Sequence, residues 1–236
     1  MKTIFSIIFW PIWFFYFSFT IIILFIILFL VPKSYLFLII RPLCWTWCFF
    51  AGQWLIFEGK IPLKDEQPYL YMFNHSSMFD QFMIGAYIPH YITAVAAIEI
   101  FKYPIFGIII KKYGIIPIIR KDIKKALNSL SIAEDALNKG ISFLISPEGT
   151  RSLNGNVGDF KKGPFHLAKK TNTTIIPVGL NGAFRAKNKN DWRLNPGKLC
   201  INFGNPIHPN KFKDMEVEEL SDLVKLKIED LINKGK

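Results

Sequence analysis

The stretch Tyr69 to Asp80, YLYMFNHSSMFD, holds a histidine and an aspartate five positions apart, His75 and Asp80. An imidazole beside a carboxylate can act as a general base, because the acid fixes the tautomer and leaves the other ring nitrogen free. The apolar, aromatic-rich run before His75 reads as a buried strand, and Ser76 and Ser77 read as N-caps of a helix beginning near Met78. A five-residue offset is off-face on a continuous helix at about 100° per residue, so the chain must turn between the two. Alone, such a pair is an ordinary polar contact in most chains. The chemistry therefore depends on what else accompanies it.

Three further stretches do. Gly114 to Arg120 (GIIPIIR) is an apolar strand ending in a charge; Arg120 there either terminates the strand in solvent or offers a guanidinium fork to a phosphate. Ser146 to Ser152 (SPEGTRS) follows the apolar run Ile141 to Ile145. Its Pro and Gly force a tight turn that puts Glu148 and Arg151 on one loop face. Phe160 to Pro164 (FKKGP) adds two lysines, and Ile176-Pro177-Val178 closes a later strand.

In this order and spacing, NHxxxxD, GxxxxxR, PEGTRS and a Pro-containing apolar strand resemble the glycerolipid acyltransferase family, over roughly Gly59 to Pro206. The likeness is nearest to bacterial members that acylate lysophosphatidic acid. It implies that His75 is the general base and Asp80 its orienting partner, that Arg120 and Arg151 hold the acceptor phosphate, and that Glu148, Gly149 and Thr150 belong to the acceptor site. The implied reaction moves a fatty acyl group from acyl-CoA or an acyl carrier protein to the free sn-2 hydroxyl of lysophosphatidic acid, giving phosphatidic acid. Its alternatives are another acceptor, such as a lyso-aminolipid, or a non-catalytic lipid-binding protein docked on a membrane. A thioester is already activated, so neither metal nor cofactor is expected. Two positions depart from the family pattern: Ser146 replaces an aromatic residue, and Ile98, in Ala97-Ile98-Glu99-Ile100, stands where many members carry a lysine.

The elements that must position these residues are legible around them. The 30 residues from Thr3 to Pro32 carry no charge; as one helix they would extend about 45 Å, against a hydrocarbon core of about 30 Å. Pro11 is expected to start or kink the helix, leaving Pro11 to Val31 to span, with Trp10, Trp13 and Tyr16 at the interface. The exit, Leu30-Val31-Pro32-Lys33, lacks the small residues of a cleavage site, so the segment reads as an anchor. Pro42 to Phe57 reads as a second, interfacial helix with Arg41 snorkelling at the turn. Beyond it, short β-like runs alternate with helical patterns, which predicts an α/β fold: a mostly parallel sheet flanked by helices, behind an N-terminal membrane-embedded helical pair. The expected division is 1–57 for the anchoring pair and 58–236 for the acyltransferase domain, with the loop Lys187 to Gly197 mobile.

Composition narrows the partners. The chain of 236 residues carries 29 basic against 18 acidic residues, a net charge of +11. That surplus suits anionic lipid or phosphorylated substrates, and its scatter over loops and helix faces argues against nucleic acid. Cys44, Cys48 and Cys200 are too few and too ill-spaced for a disulfide framework or a metal site. The expected location is a membrane, the bacterial inner membrane, with the active site on its cytoplasmic side.

Overall fold

The computed structural model describes residues 1–61, 68–119 and 123–234. Its seven strands are β1 (Gln53–Gly59), β2 (Tyr69–Phe73), β3 (Ile92–Ala97), β4 (Ile116–Ile118), β5 (Ser142–Ile145), β6 (Thr174–Asn181) and β7 (Gly197–Phe203). They form one sheet in the order β1-β7-β6-β2-β5-β3-β4. Neighbours run parallel except β6 and β7, which are antiparallel. The mostly parallel α/β sheet expected from the alternating pattern is present.

Central β2 explains why its sequence is apolar without interruption. Tyr69, Tyr71 and Phe73 face one layer, with α1 (Lys2–Leu30), α2 (Phe37–Phe50) and α3 (Asp80–Gly85). Leu70 and Met72 face the other, with α5 (Ile123–Asn138), α6 (Gly163–Thr171) and α9 (Val217–Lys234). A strand covered on both faces gains from apolar side chains at every position. The helices that follow β2 and β5, α3 and α6, thus lie on opposite faces of two adjacent strands. In parallel sheets that arrangement opens a crevice at the strands' carboxyl ends, where ligands bind.

Several local expectations are corrected. The helix α3 starts at Asp80 rather than Met78, because the amides of Ser76 and Ser77 turn back onto Asp80 instead of entering a helix. The helical pattern after β3 is not one helix but a 3-10 turn, Ile98–Lys102, and α4, Phe106–Tyr113. Pro104 does this: the residue before a proline is pushed out of the helical region, and Tyr103 is extended (φ −67°, ψ 126°). Near the C-terminal end, α7 (Ala183–Ala186) and α8 (Pro209–Phe212) are single turns.

The N-terminal pair also differs. α1 runs unbroken through Pro11. α2 ends at Phe50, and Gly52, at φ 75°, makes a turn that side-chain-bearing residues resist. Residues 53–57, expected in the second helix, are instead strand β1, registered on β7 from Gln53↔Gly197 onward. Trp13 and Trp47 are tied into the protein: Trp13, 3% exposed, donates from Nε1 to the Trp47 carbonyl at 2.8 Å, and Trp47 Nε1 donates to Thr20 Oγ1 at 2.8 Å, while Trp45 and Trp54 are exposed. Tyr16 donates to Thr46 Oγ1, and Arg41 Nε to the Ala86 carbonyl. The opposite side of α1 stays bare, with Phe15 79% and Leu30 77% exposed. This 29-residue helix, of mean hydropathy 2.6 over its most apolar window, is long and apolar enough to cross a membrane and fits membrane association.

The loop Lys187 to Gly197, expected to move, is tied to α1. Leu194 donates from its backbone to Ser6 Oγ at 2.8 Å, and Trp10 Nε1 donates to the Trp192 carbonyl at 2.8 Å. The Asn195 amide reaches back to the Ala186 carbonyl at 2.9 Å.

Candidate active site

Three loops leave the carboxyl ends of the adjacent parallel strands β6, β2 and β5 and meet. The central one is Asn74 to Phe79. Asn74, directly after β2, pairs its side-chain amide with β6 as a backbone would: Nδ2 donates to the Leu180 carbonyl (2.9 Å) and Oδ1 accepts from the Leu180 amide (2.8 Å). This fixes where the chain leaves the sheet, one residue before His75.

His75 and Asp80 meet. Nδ1 of the imidazole lies 2.7 Å from Asp80 Oδ2, with Asp80 0% and His75 19% exposed. The same Oδ2 accepts from the amides of Ser76 (2.7 Å) and Ser77 (2.8 Å). A carboxylate offers only acceptors, so Nδ1 carries the proton and Nε2 keeps its lone pair. Asp80 thus fixes both the tautomer and the turn that carries the ring. The Phe73 ring lies edge-on to the imidazole, centroids 5.7 Å apart.

The second loop, after β5, is Ser146 to Ser152. Gly149 sits at φ 69° and closes the turn by donating to the Ser146 carbonyl at 3.1 Å. Glu148, which the resemblance assigns to the acceptor site, is 5% exposed. Its Oε1 accepts from the His75 amide at 2.7 Å and its Oε2 from the Gly158 amide at 3.0 Å. A buried carboxylate recruits donors or stays neutral, and here backbone amides are the donors. Burial pushes the Glu148 carboxyl up from its ordinary pKa, against the two amides that pull it down. Its part is to brace the histidine's backbone. The Ser152 amide adds a second brace, donating to the His75 carbonyl at 2.7 Å.

Arg151 is half-buried beside these braces, while Thr150 is exposed. Lys161 donates from its backbone to the Pro147 carbonyl, and its stem lies against Gly149. Lys162 is paired with Glu218. Ile98 begins the 3-10 turn after β3. Arg120 lies outside the described residues.

The third loop supplies a residue that sequence reading passed over. After β6 and α7, Lys187 accepts from Ser77 Oγ at its carbonyl (2.7 Å), and its Nζ donates to the Asn188 carbonyl at 2.6 Å. Burial first, and the Arg151 guanidinium second, lower its pKa from the ordinary lysine value, with Asp191 acting the other way. Nothing in the local sequence distinguishes this lysine from the polar loop around it.

The acyltransferase family model matches residues 55–181. A 1-acyl-sn-glycerol-3-phosphate acyltransferase of Cocos nucifera is 34% identical over 158 residues, covering 66% of this chain and 50% of that protein. One from Limnanthes douglasii is 30% identical over 182 residues, covering 74% of this chain and 64% of that protein. The chain therefore spans about half to two thirds of the length of these relatives. The crystal structure of the 1-acyl-sn-glycerophosphate (LPA) acyltransferase PlsC from Thermotoga maritima shares the fold. Its TM-score is 0.87 at 23% identity, over 99% of this chain and 97% of that one.

Proposed function

We propose that this chain, which belongs to the acyltransferase family, transfers a fatty acyl group from a thioester to the free sn-2 hydroxyl of lysophosphatidic acid, giving phosphatidic acid. The observation that carries the proposal is the His75–Asp80 pair at 2.7 Å, partly exposed at the carboxyl end of the sheet beside the half-buried Arg151 and Lys187. Relatives named 1-acyl-sn-glycerol-3-phosphate acyltransferase support the choice of acceptor.

In the proposed mechanism, Nε2 of His75 takes the proton of the acceptor hydroxyl as its oxygen attacks the thioester carbonyl. The tetrahedral intermediate collapses by breaking the carbon–sulfur bond, and the leaving thiolate takes a proton from the imidazolium. The ester and a free thiol result. Asp80 steadies the imidazolium between the two steps. Arg151 holds the acceptor's phosphate with a bidentate fork, and Arg120 is assigned to the same phosphate by the family motif. Fixing the phosphate holds the hydroxyl at the base, which lowers the barrier by positioning. Thr150 and Gly149 are assigned to the loop that borders the acceptor.

The proposed donor is acyl-CoA or an acyl carrier protein, whose pantetheine thioesters are chemically alike. No metal or cofactor enters this scheme. Such donors are cytoplasmic, which assigns the site to the cytoplasmic face of the membrane, the inner membrane in a bacterium. The bare side of α1 supports lipid as the surrounding medium of acceptor and product.

The test is purified chain in detergent or vesicles, with labelled acyl-CoA or acyl carrier protein and a panel of lysolipids. Lysophosphatidic acid is expected to be the preferred acceptor. Preference for a lyso-aminolipid, handled normally by Arg151→Ala, would replace the acceptor; turnover of none would leave a lipid-binding protein.

A further inference from the structure

We infer that Lys187 is a second phosphate-binding cation of the acceptor pocket, acting with Arg151 from the opposite flank of His75. The inference rests on the acyltransferase reading above.

Placement comes first. In the order β6-β2-β5, the strand bearing His75 lies between the strands whose loops bear Lys187 and Arg151. Hydrogen bonds tie each flanking loop to the central turn: Ser77 Oγ donates to the Lys187 carbonyl at 2.7 Å, and on the other side the Ser152 amide donates to the His75 carbonyl at 2.7 Å and the His75 amide to Glu148 Oε1 at 2.7 Å. The Lys187 amide is also held, donating to the Ala183 carbonyl at 3.1 Å. Its backbone is thus anchored at three sides, by α7, by the His75 turn and through the loop that α1 grips.

Charge comes second. Among the described residues, Arg151 has no hydrogen-bonded or ion-paired partner, and the Lys187 ammonium meets only the neutral Asn188 carbonyl. The acids nearby are engaged elsewhere. Asp80 Oδ2 serves His75 and two amides, Glu148 serves two amides, and Asp191 forks onto Arg193. Two half-buried cations therefore lie on loops that both tie to the His75 turn, with no carboxylate paired to either among the described residues; burial first and the Arg151 charge second lower the Lys187 pKa, with Asp191 opposing. Such a pair is costly unless an anion completes it. A phosphomonoester carries close to two negative charges, enough to satisfy a guanidinium fork and an ammonium point charge together. Lys187 is only weakly held where it lies, since its ammonium gives up one neutral acceptor to reach a phosphate.

The experiment uses full-length chain in detergent, comparing wild type, Lys187→Gln and Lys187→Arg. Michaelis constants are measured for lysophosphatidic acid at saturating acyl-CoA, and for acyl-CoA at saturating acceptor. One charge-assisted contact predicts an acceptor KM raised about 10- to 100-fold in Lys187→Gln, an unmoved donor KM, and recovery of most of the loss in Lys187→Arg. An unchanged acceptor KM would overturn the inference. So would a rise in donor KM alone, which would give the lysine to the donor's phosphates. A parallel thermal-shift titration with inorganic phosphate separates this inference from the reading it rests on. If wild type fails to acylate lysophosphatidic acid, the function falls; the cation site then stands if phosphate stabilises wild type but not Lys187→Gln, and falls if both respond alike.

Discussion

The turn that carries His75 and the cationic rim beside it are neighbours with opposite accounts. In the turn, Asn74, Asp80 and Glu148 all spend their side chains on backbone groups or on the imidazole. In the rim, Arg151 is unpaired among the described residues and Lys187 has one neutral acceptor. The carboxylates of the first region are held by backbone amides and the imidazole, though Asp80 Oδ1 and Ser146 Oγ are buried there without a hydrogen-bond partner among the described residues, whereas the cations of the second have no carboxylate paired to them among those residues. On the proposed function, a base held by fixed dipoles needs no rearrangement during the reaction, whereas the cations would gain their partner from the substrate. Orientation would then be built into the fold, and affinity would come from the acceptor.

That contrast can be broken by substitution. The largest effect is expected from His75→Ala, a loss of roughly 10²- to 10⁴-fold in kcat with the acceptor KM little changed, as removal of a general base predicts. Turnover near that of wild type would end the mechanism. Asp80→Asn should be next, with a smaller fall in kcat because the imidazole remains; its amide oxygen can keep the two backbone amides, but its NH2 is then buried where Asp80 Oδ1 has no partner, so thermal stability should drop as well. Arg151→Ala should act on the other region, raising the acceptor KM about 10- to 100-fold, the worth of a charge-assisted contact, while kcat and donor KM hold. A kcat effect there larger than the KM effect would erase the distinction between the two regions.

The smallest expected effect is a pH slope. Because burial raises the Glu148 pKa, the folded chain binds more protons at this site than the unfolded chain between the ordinary carboxylate range and the raised value. Stability should therefore fall as pH rises through that window and level off above it. Glu148→Gln should flatten this slope in thermal melts, while losing about 1–3 kcal/mol at neutral pH for the amide left without an acceptor. An unaltered slope would show that Glu148 is not the titrating group.

The same contrast sets what could be read in advance. The core strands were legible because parallel strands buried on both faces, such as Tyr69–Phe73, are apolar without a break. His75 and Asp80 were legible because their spacing requires a turn between strand and helix. The end of α2 was not, since Pro42 to Phe57 is free of charge and mostly apolar, and the φ of 75° at Gly52 marks where helix gives way to strand. Nor was the role of Glu148: a glutamate in a turn looks the same whether it faces a substrate or two backbone amides. Lys187 was the hardest, because its neighbours in space, Ser77 and Arg151, come from other strands.

The register of β1 has a bearing on how the chain is made. Gln53 pairs with Gly197, so the first strand's partner emerges about 140 residues later. At ~5–20 residues per second, synthesis leaves β1 without that partner for roughly 7–28 s. During that interval the apolar segments ahead of it can already have entered lipid, holding an unpaired strand edge at the membrane surface. Such an edge is a template for association with other chains. Closing the sheet at β1 is then a late, long-range step performed on a tethered strand, and tethering limits the volume through which β7 must search for it. On the proposed function, the apolar N-terminal helices would then serve assembly before they serve the reaction.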